Sequence, residues 1–272
     1  PRHRPRWRLN RSGTVGLCLV VLVTLLAVFA PWLAPHAYQD QQLPKVLLPP
    51  FWQAGADPAY PLGTDHLGRD ELSRILFGGR TSLLVGAGGV LIAGTLGIGL
   101  GLLAGYIGGG TDDAIMRLVD VQLSFPPIFL AIAIMAVVGQ SLFNLVVVLG
   151  LATWVQYARV VRGVTLSIKQ KEYIEGARAA GASTQRILLR HVLPNILPPV
   201  VVITTVTVST LILAEAALSF LGVGVQPPTP AWGTMLAEGR EVFRIAWWNA
   251  VFPGLAILIT VLGVNLLGDA LE

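Results

Sequence analysis

The chain has 272 residues, 54% of them hydrophobic and 12% charged, about half the charged share of a soluble globular domain. A mean hydropathy of +0.68 puts it in the membrane class, where length no longer counts soluble domains. Its 30 glycines and 18 prolines follow no three-residue period and Cys18 is the only cysteine, which excludes a collagen-like chain, an internal disulfide and a cysteine-built metal site.

The charges mark the elements by where they are missing. Uncharged stretches run 12–39, 81–111, 121–158, 192–214 and 245–268. A helix needs about 20 apolar residues to cross the hydrocarbon. The stretch 121–158 would be about 57 Å long as one helix, so it is read as two spans broken at Gly139-Gln140-Ser141. An isolated strand cannot satisfy its backbone in lipid. The expected fold is therefore an all-α polytopic membrane protein with six transmembrane helices, near 14–34, 81–106, 119–138, 142–160, 196–221 and 248–268.

In chain order, a tail (1–12) with Arg2, Arg4, Arg6, Arg8 and Arg11 precedes the first span (13–34). That span is longer than the apolar core of a secretion signal and ends in Pro31-Trp32, so it reads as an uncleaved anchor. A long loop (35–80) leads to a core with five further spans (81–272), which contains two further loops, 159–195 and 222–248. Thirteen of the 19 Lys and Arg fall on one set of alternating segments. That bias predicts both termini in the cytoplasm and a multi-pass protein in a lipid bilayer. The basic pI follows from these flanks; Trp7 is the only aromatic in the Arg-rich tail, and no nucleic-acid-binding module is present. Asn10-Arg11-Ser12 fits a glycosylation sequon but lies on the expected cytoplasmic side.

Within the spans, Gly97, Gly101 and Gly105 recur at every fourth position and predict close helix packing. Pro126-Pro127 should kink the third span near its start. Asp120, near the inner end of that span, pairs with Arg117 or Arg159, or contacts the pathway or a sister subunit. Glu215 is an acid inside a span, at a cost of about 2.5 to 3.5 kcal/mol at a helix centre; it is either a pathway or sister-subunit contact or a partnered carboxylate holding helices together. Thr229 is placed to cap a short helix with Pro230 in its first position. His3, His36, His66 and His191 show no metal-ligand spacing, and no metal site is expected.

The segment 159–195 carries Arg159, Arg162, Lys169, Lys171, Arg178, Arg186 and Arg190 against Glu172 and Glu175. Its composition predicts a helix over 171–180, a break at Gly181, and a second helix capped by Ser183 and ended by Pro194. Such an elbow suits docking into a partner's groove. As a basic loop it would equally suit anionic headgroups.

Here a resemblance enters. Tyr173-Ile174-Glu175-Gly176-Ala177-Arg178-Ala179-Ala180-Gly181-Ala182-Ser183, followed by His191-Val192-Leu193-Pro194-Asn195, resembles the EAA loop of ABC importer permeases. It matches at Glu175, Ala177, Gly181, Leu193 and Pro194 and departs at Gly176, usually Ala, and at His191, usually Ile. Leu62-Gly63-Thr64-Asp65-His66-Leu67-Gly68-Arg69-Asp70, Arg117-Leu118-Val119-Asp120, Ala217-Leu218-Ser219-Phe220 and Phe252-Pro253-Gly254 are similar to segments of the dipeptide, oligopeptide and nickel permeases, C-type subunit. The resemblance implies a type I importer (MetI-like) fold and a non-catalytic subunit that moves di- or oligopeptides by alternating access. Nickel chelates, glutathione or an ion-coupled secondary mechanism are the alternatives. It implies a second homologous permease subunit, two cytoplasmic ATPase subunits and an extracytoplasmic solute-binding protein, in the inner membrane of a prokaryote. ATP and Mg would be bound by the ATPases, with no cofactor in this chain. Lys45, Lys169 and Lys171 follow Pro44, Ile168 and Gln170, so no phosphate-cradling Gly-Lys loop exists. The residues implied for ATPase coupling are Tyr173, Glu175, Ala177, Ala180, Gly181, Leu193 and Pro194.

Overall fold

A computed structural model describes residues 10–271. Arg2, Arg4, Arg6, Arg8, His3 and Trp7 lie outside these residues. The described residues are helical, with one isolated antiparallel bridge between Thr64 and Asp70 and no β-strand.

Helix α1 (Arg11–Val28) is capped by Asn10, whose side-chain oxygen accepts from Gly13 N at 2.8 Å and from Ser12 Oγ at 2.7 Å. The sequon is thus a helix cap. A short helix, α2 (Ala30–Leu33), follows, with Pro31 in its first turn. The chain then loops to α3 (Glu71–Ile107), capped by Asp70, which accepts from Ser73 N at 2.9 Å. At 37 residues, about 55 Å, α3 starts well before residue 81, where charge alone would begin it. Arg74 in its first turn is accommodated there because it is ion-paired, as described below.

The expected third span is not one straight helix. Helices α4 (Gly109–Leu123) and α5 (Pro127–Val138) meet at 86°. Pro126 has an extended backbone, φ −58° and ψ 129°, because the residue before a proline is pushed out of the helical region. The pair of prolines therefore ends one helix and starts another.

Helix α6 (Leu142–Lys169) is capped by Ser141 and runs beyond residue 160. The turn before it is closed by Asn144 Nδ2, which donates to the carbonyls of Val138 (3.0 Å) and Gly139 (2.9 Å). Then come α7 (Glu172–Ala179), α8 (Thr184–Ile187), a π turn at Leu188–Val192, α9 (Leu193–Phe220), α10 (Trp232–Glu241) and α11 (Trp248–Asp269). Among the described residues, five helical runs are long and apolar enough to cross a membrane, and the bent α4–α5 pair makes a sixth if counted as one span.

Pro194 does not end the second elbow helix; the helix continues through it. Pro194 has no N–H for the carbonyl four residues back. The π turn absorbs the mismatch: Leu193 N–H bonds back to the Leu188 carbonyl, and Asn195 Nδ2 donates to the His191 carbonyl at 2.6 Å. Thr229 likewise does not cap α10, which starts after Ala231 with no side-chain cap. The Pro230 carbonyl accepts from Thr81 Oγ1 at 2.8 Å, and Trp232 Nε1 donates to the Ile75 carbonyl at 3.0 Å. Those ties hold Pro230 and Trp232 against α3, with Ala231 extended between them.

The α3–α6 pair forms the centre. A Cβ on Gly101 would stand 2.7 Å from the Ala158 carbonyl oxygen, and one on Gly105 would stand 2.7 Å from Thr165 Cβ, so the glycine stripe is what lets these backbones approach. Around the elbow end lies one apolar cluster that includes Val119, Val161, Ile168, Ile174, Ile187, Val192 and Ile196. A second, including Val85, Met135, Leu145, Leu211 and Leu218, joins α3, α5, α6 and α9 nearer their other ends.

Candidate functional site

The elbow is built from α7, α8 and the π turn. Lys171 occupies the N-cap position of α7, whose first turn holds Glu172 and Glu175 and whose last turn holds Arg178, the charge order that a helix dipole favours. The helix closes at Gly181, with φ +79°. Gly181 N donates to the Arg178 carbonyl (2.9 Å) and Ala182 N to the Ala177 carbonyl (3.0 Å), a closure that needs the left-handed conformation open to glycine. Ser183 then caps α8 by accepting from Arg186 N at 3.3 Å.

The elbow has two faces. Ile174 is 0% exposed, packed in the apolar cluster that also holds Val161 of α6 and Ile196 of α9. Tyr173 and Glu175, on either side of it, are exposed. Ala177 is half-buried and Ala180 and Gly181 are exposed, while Leu193 is half-buried and Pro194 exposed at the base of α9. Tyr173 and His191 bring their rings within 6.1 Å, tying α7 to the π turn. Tyr106, at the end of α3, has Lys169 Nζ 5.8 Å and Arg178 5.7 Å from its ring centroid, and Lys169 Nζ also donates to the Tyr106 carbonyl at 2.7 Å. The elbow is therefore fastened to α3, α6 and α9 together. Ile174, with Ile187 and Leu188, is one of the apolar residues that mark the elbow's stripe in the sequence; the π turn has no such signal beyond Pro194.

Asp120 and Glu215 stand apart from the elbow and from each other. Asp120 accepts from Arg159 Nη2 at 2.7 Å, with both side chains more than half exposed. One α6 turn on, Arg162 makes a two-bonded pair with Asp112, at 2.5 and 2.6 Å. Glu215 is 0% exposed and accepts from Ser82 Oγ (2.8 Å) on α3 and Ser219 Oγ (2.7 Å) one turn along α9.

At the opposite end, the segment 62–74 forms a buried ionic knot. Arg69 Nε donates to Asp65 Oδ2 at 2.6 Å, and Arg74 Nη1 donates to the same oxygen. Both guanidiniums also reach Glu238 Oε2 on α10, at 3.0 and 2.8 Å. The backbone N–H groups of Leu67 and Arg69 donate to Asp65 Oδ1. Burial alone would raise the Asp65 carboxyl, but Arg74 and Arg69 outweigh it and hold its pKa below the ordinary carboxylate value. The fold also brings His66 near Asp65 and Glu238. With two guanidiniums already on both carboxylates, this group reads as an ion-pair network that fastens the long loop to α3 and α10.

Residues 97–272 match the family described as binding-protein-dependent transport system inner membrane component, and residues 4–50 match the N-terminal TM domain of oligopeptide transport permease C. The chain belongs to this permease family. The di/tripeptide transport system permease protein DppC of Pseudomonas aeruginosa is 44% identical over 263 residues, covering 97% of this chain and 87% of the relative. The dipeptide permease DppC of Escherichia coli is 44% identical over 266 residues (98% and 89%). The glutathione transport system permease protein GsiD of Escherichia coli is 44% identical over 267 residues (98% and 86%). The fold is shared with inward-facing structures of the MetNI methionine ABC transporter, at a TM-score of 0.58 and 23% identity over 72% of this chain and 93% of that one. This permease is accordingly a non-catalytic, multi-pass membrane component of an ABC importer, a family that works with ATPase and solute-binding partners.

Proposed function

We propose that this permease moves di- or oligopeptides across the cytoplasmic membrane of a prokaryote by alternating access. It pairs with a second homologous permease, receives cargo from an extracytoplasmic solute-binding protein, and is driven by two ATPase subunits that hold ATP and Mg. The elbow is its coupling contact. Tyr173 and Glu175 meet the ATPase, Ala177, Ala180 and Gly181 shape the bend, and Leu193 and Pro194 pass the displacement into α9. The observation that carries this reading is the split of α7: Ile174 is buried among residues of α6 and α9 while its neighbours Tyr173 and Glu175 are exposed. Close-packed side chains transmit displacement rather than absorb it. A push on the exposed face therefore moves both long helices.

Small peptides as cargo are supported by relatives equally similar to this chain and named for dipeptides, di- and tripeptides, and glutathione, the last itself a tripeptide. Asp120 and its partner Arg159 border the pathway or the sister subunit. Glu215, occupied by Ser82 and Ser219, clamps α3 to α9.

In proteoliposomes holding the complete complex and binding protein, Glu175→Lys is expected to lower peptide uptake and peptide-stimulated ATP hydrolysis together. Uptake driven by an ion gradient through this chain alone, or full coupling in both Glu175→Lys and Gly181→Val, would sink the reading.

A further inference from the structure

We propose that the slot between α7 and the π turn is a basic socket that receives an acidic side chain of the ATPase subunit. The slot has a volume of about 430 Å³ and is lined by Ala177, Ala180, Gly181, Ala182, Arg186, Arg190 and His191. Its wall on the α7 side is made of small residues, which leave room; its other wall carries the cations. Arg186 and Arg190, one turn apart, are both exposed. No carboxylate lines the slot. The ion pairs among the described residues engage Lys45, Arg69, Arg74, Arg159 and Arg162, and neither Arg186 nor Arg190 takes part in one. Two guanidiniums around an acid-free cavity match one carboxylate, which arginine binds with two parallel bonds.

Position selects a protein partner over a lipid. The helical run from Thr184 to Phe220 has 37 residues, about 55 Å, against roughly 30 Å of hydrocarbon. Its uncharged part begins only after His191. The socket therefore projects beyond the bilayer, on the exposed side of the elbow and continuous with Tyr173 and Glu175. It rests on the coupling reading and adds a second point of attachment to it, so that the ATPase both pushes and pulls the elbow.

The test uses the complete reconstituted complex. Arg186→Glu with Arg190→Glu is expected to lower peptide uptake about tenfold or to release the ATPase subunits, and Arg186→Gln with Arg190→Gln to do so less severely. A photo-crosslinking residue at Ala182, which changes no charge, is expected to attach to an ATPase segment containing Asp or Glu. Reversing that acid should restore uptake to the Arg→Glu variant. Crosslinks to phospholipid alone, or a defect that follows the anionic-lipid fraction of the vesicles, would overturn the socket. Wild-type uptake and assembly in Arg186→Glu/Arg190→Glu would overturn it too. If Glu175→Lys uncouples in that case, the coupling reading survives without the socket; if Glu175→Lys is also silent, both fall.

Discussion

Gly101 of α3 lies against Ala158 of α6 so closely that a methyl group at 101 would stand 2.7 Å from the Ala158 carbonyl oxygen and 2.9 Å from Val161 Cβ. Backbone and β-branched atoms cannot swing aside. Gly101→Leu is therefore expected to destabilise the helix pair by about 1–3 kcal/mol or more, read as a lower melting temperature in detergent. Gly99, with nothing within 4 Å of its Cβ position, is the control. Gly99→Ala should leave stability unchanged or raise it by about 0.5–1 kcal/mol.

Arg74 and Glu238, far apart in sequence, meet at 2.8 Å, with Arg74 4% exposed. Removing Arg74 leaves Arg69 as the one cation on both Asp65 and Glu238, so the loss is expected to fall below about 3–5 kcal/mol, the cost of a fully stranded buried charge. Arg74→Met is expected to release the segment around residues 45–70 from α3 and α10. Proteolysis within that segment should accelerate while the α3–α6 pair stays protected.

Asp65 sets the acid limit of the same knot. Its folded pKa lies below the unfolded value, about 3.9 for an aspartate. The stability it contributes is therefore present above about pH 4 and is lost as the pH falls through the folded value. Amide protection in residues 45–70, exchange measured relative to the intrinsic rate at each pH, should fall on acidification below about pH 4. Asp65→Asn should flatten that dependence and weaken protection already at neutral pH.

Gly181 and Gly176 should behave oppositely although both lie in the elbow. Gly181 has φ +79°, and a side chain there costs about 1–2 kcal/mol. Gly181→Val is expected to loosen the bend and lower peptide-stimulated ATP hydrolysis while the complex still assembles. Gly176 is helical, with nothing within 4 Å of its Cβ position. Gly176→Ala should stiffen α7 by up to about 1 kcal/mol with transport intact.

Much of this architecture is legible in one dimension because lipid permits so few solutions. Charge-free stretches of span length had to be helices, and the small-residue stripe at 97, 101 and 105 had to face another backbone. The elbow's break at Gly181 and its cap at Ser183 were likewise local, since each depends on a backbone conformation or a short side-chain reach. The sequence by itself determined a helical membrane protein with a basic excursion at 159–195 suited either to a partner's groove or to anionic headgroups. Tertiary structure decided what depends on distant groups. The charges of 62–74 read as loop until Glu238, brought from α10, joined Arg69 and Arg74 on Asp65 and let Arg74 be buried in the first turn of α3. Pro126-Pro127 signalled a kink, but 86° reflects how α5 packs on α6 and α9. Pro194 signalled an end, yet the helix runs through it across a π turn in which Leu193 N–H reaches the Leu188 carbonyl and Asn195 Nδ2 the His191 carbonyl. Ile174 marked the elbow's apolar stripe, and α6 and α9 closing around it decided what it packs against. Local sequence sets where a helix can begin or must bend; only the folded neighbours determine whether a charge is paired, a carbonyl satisfied or an apolar side chain buried.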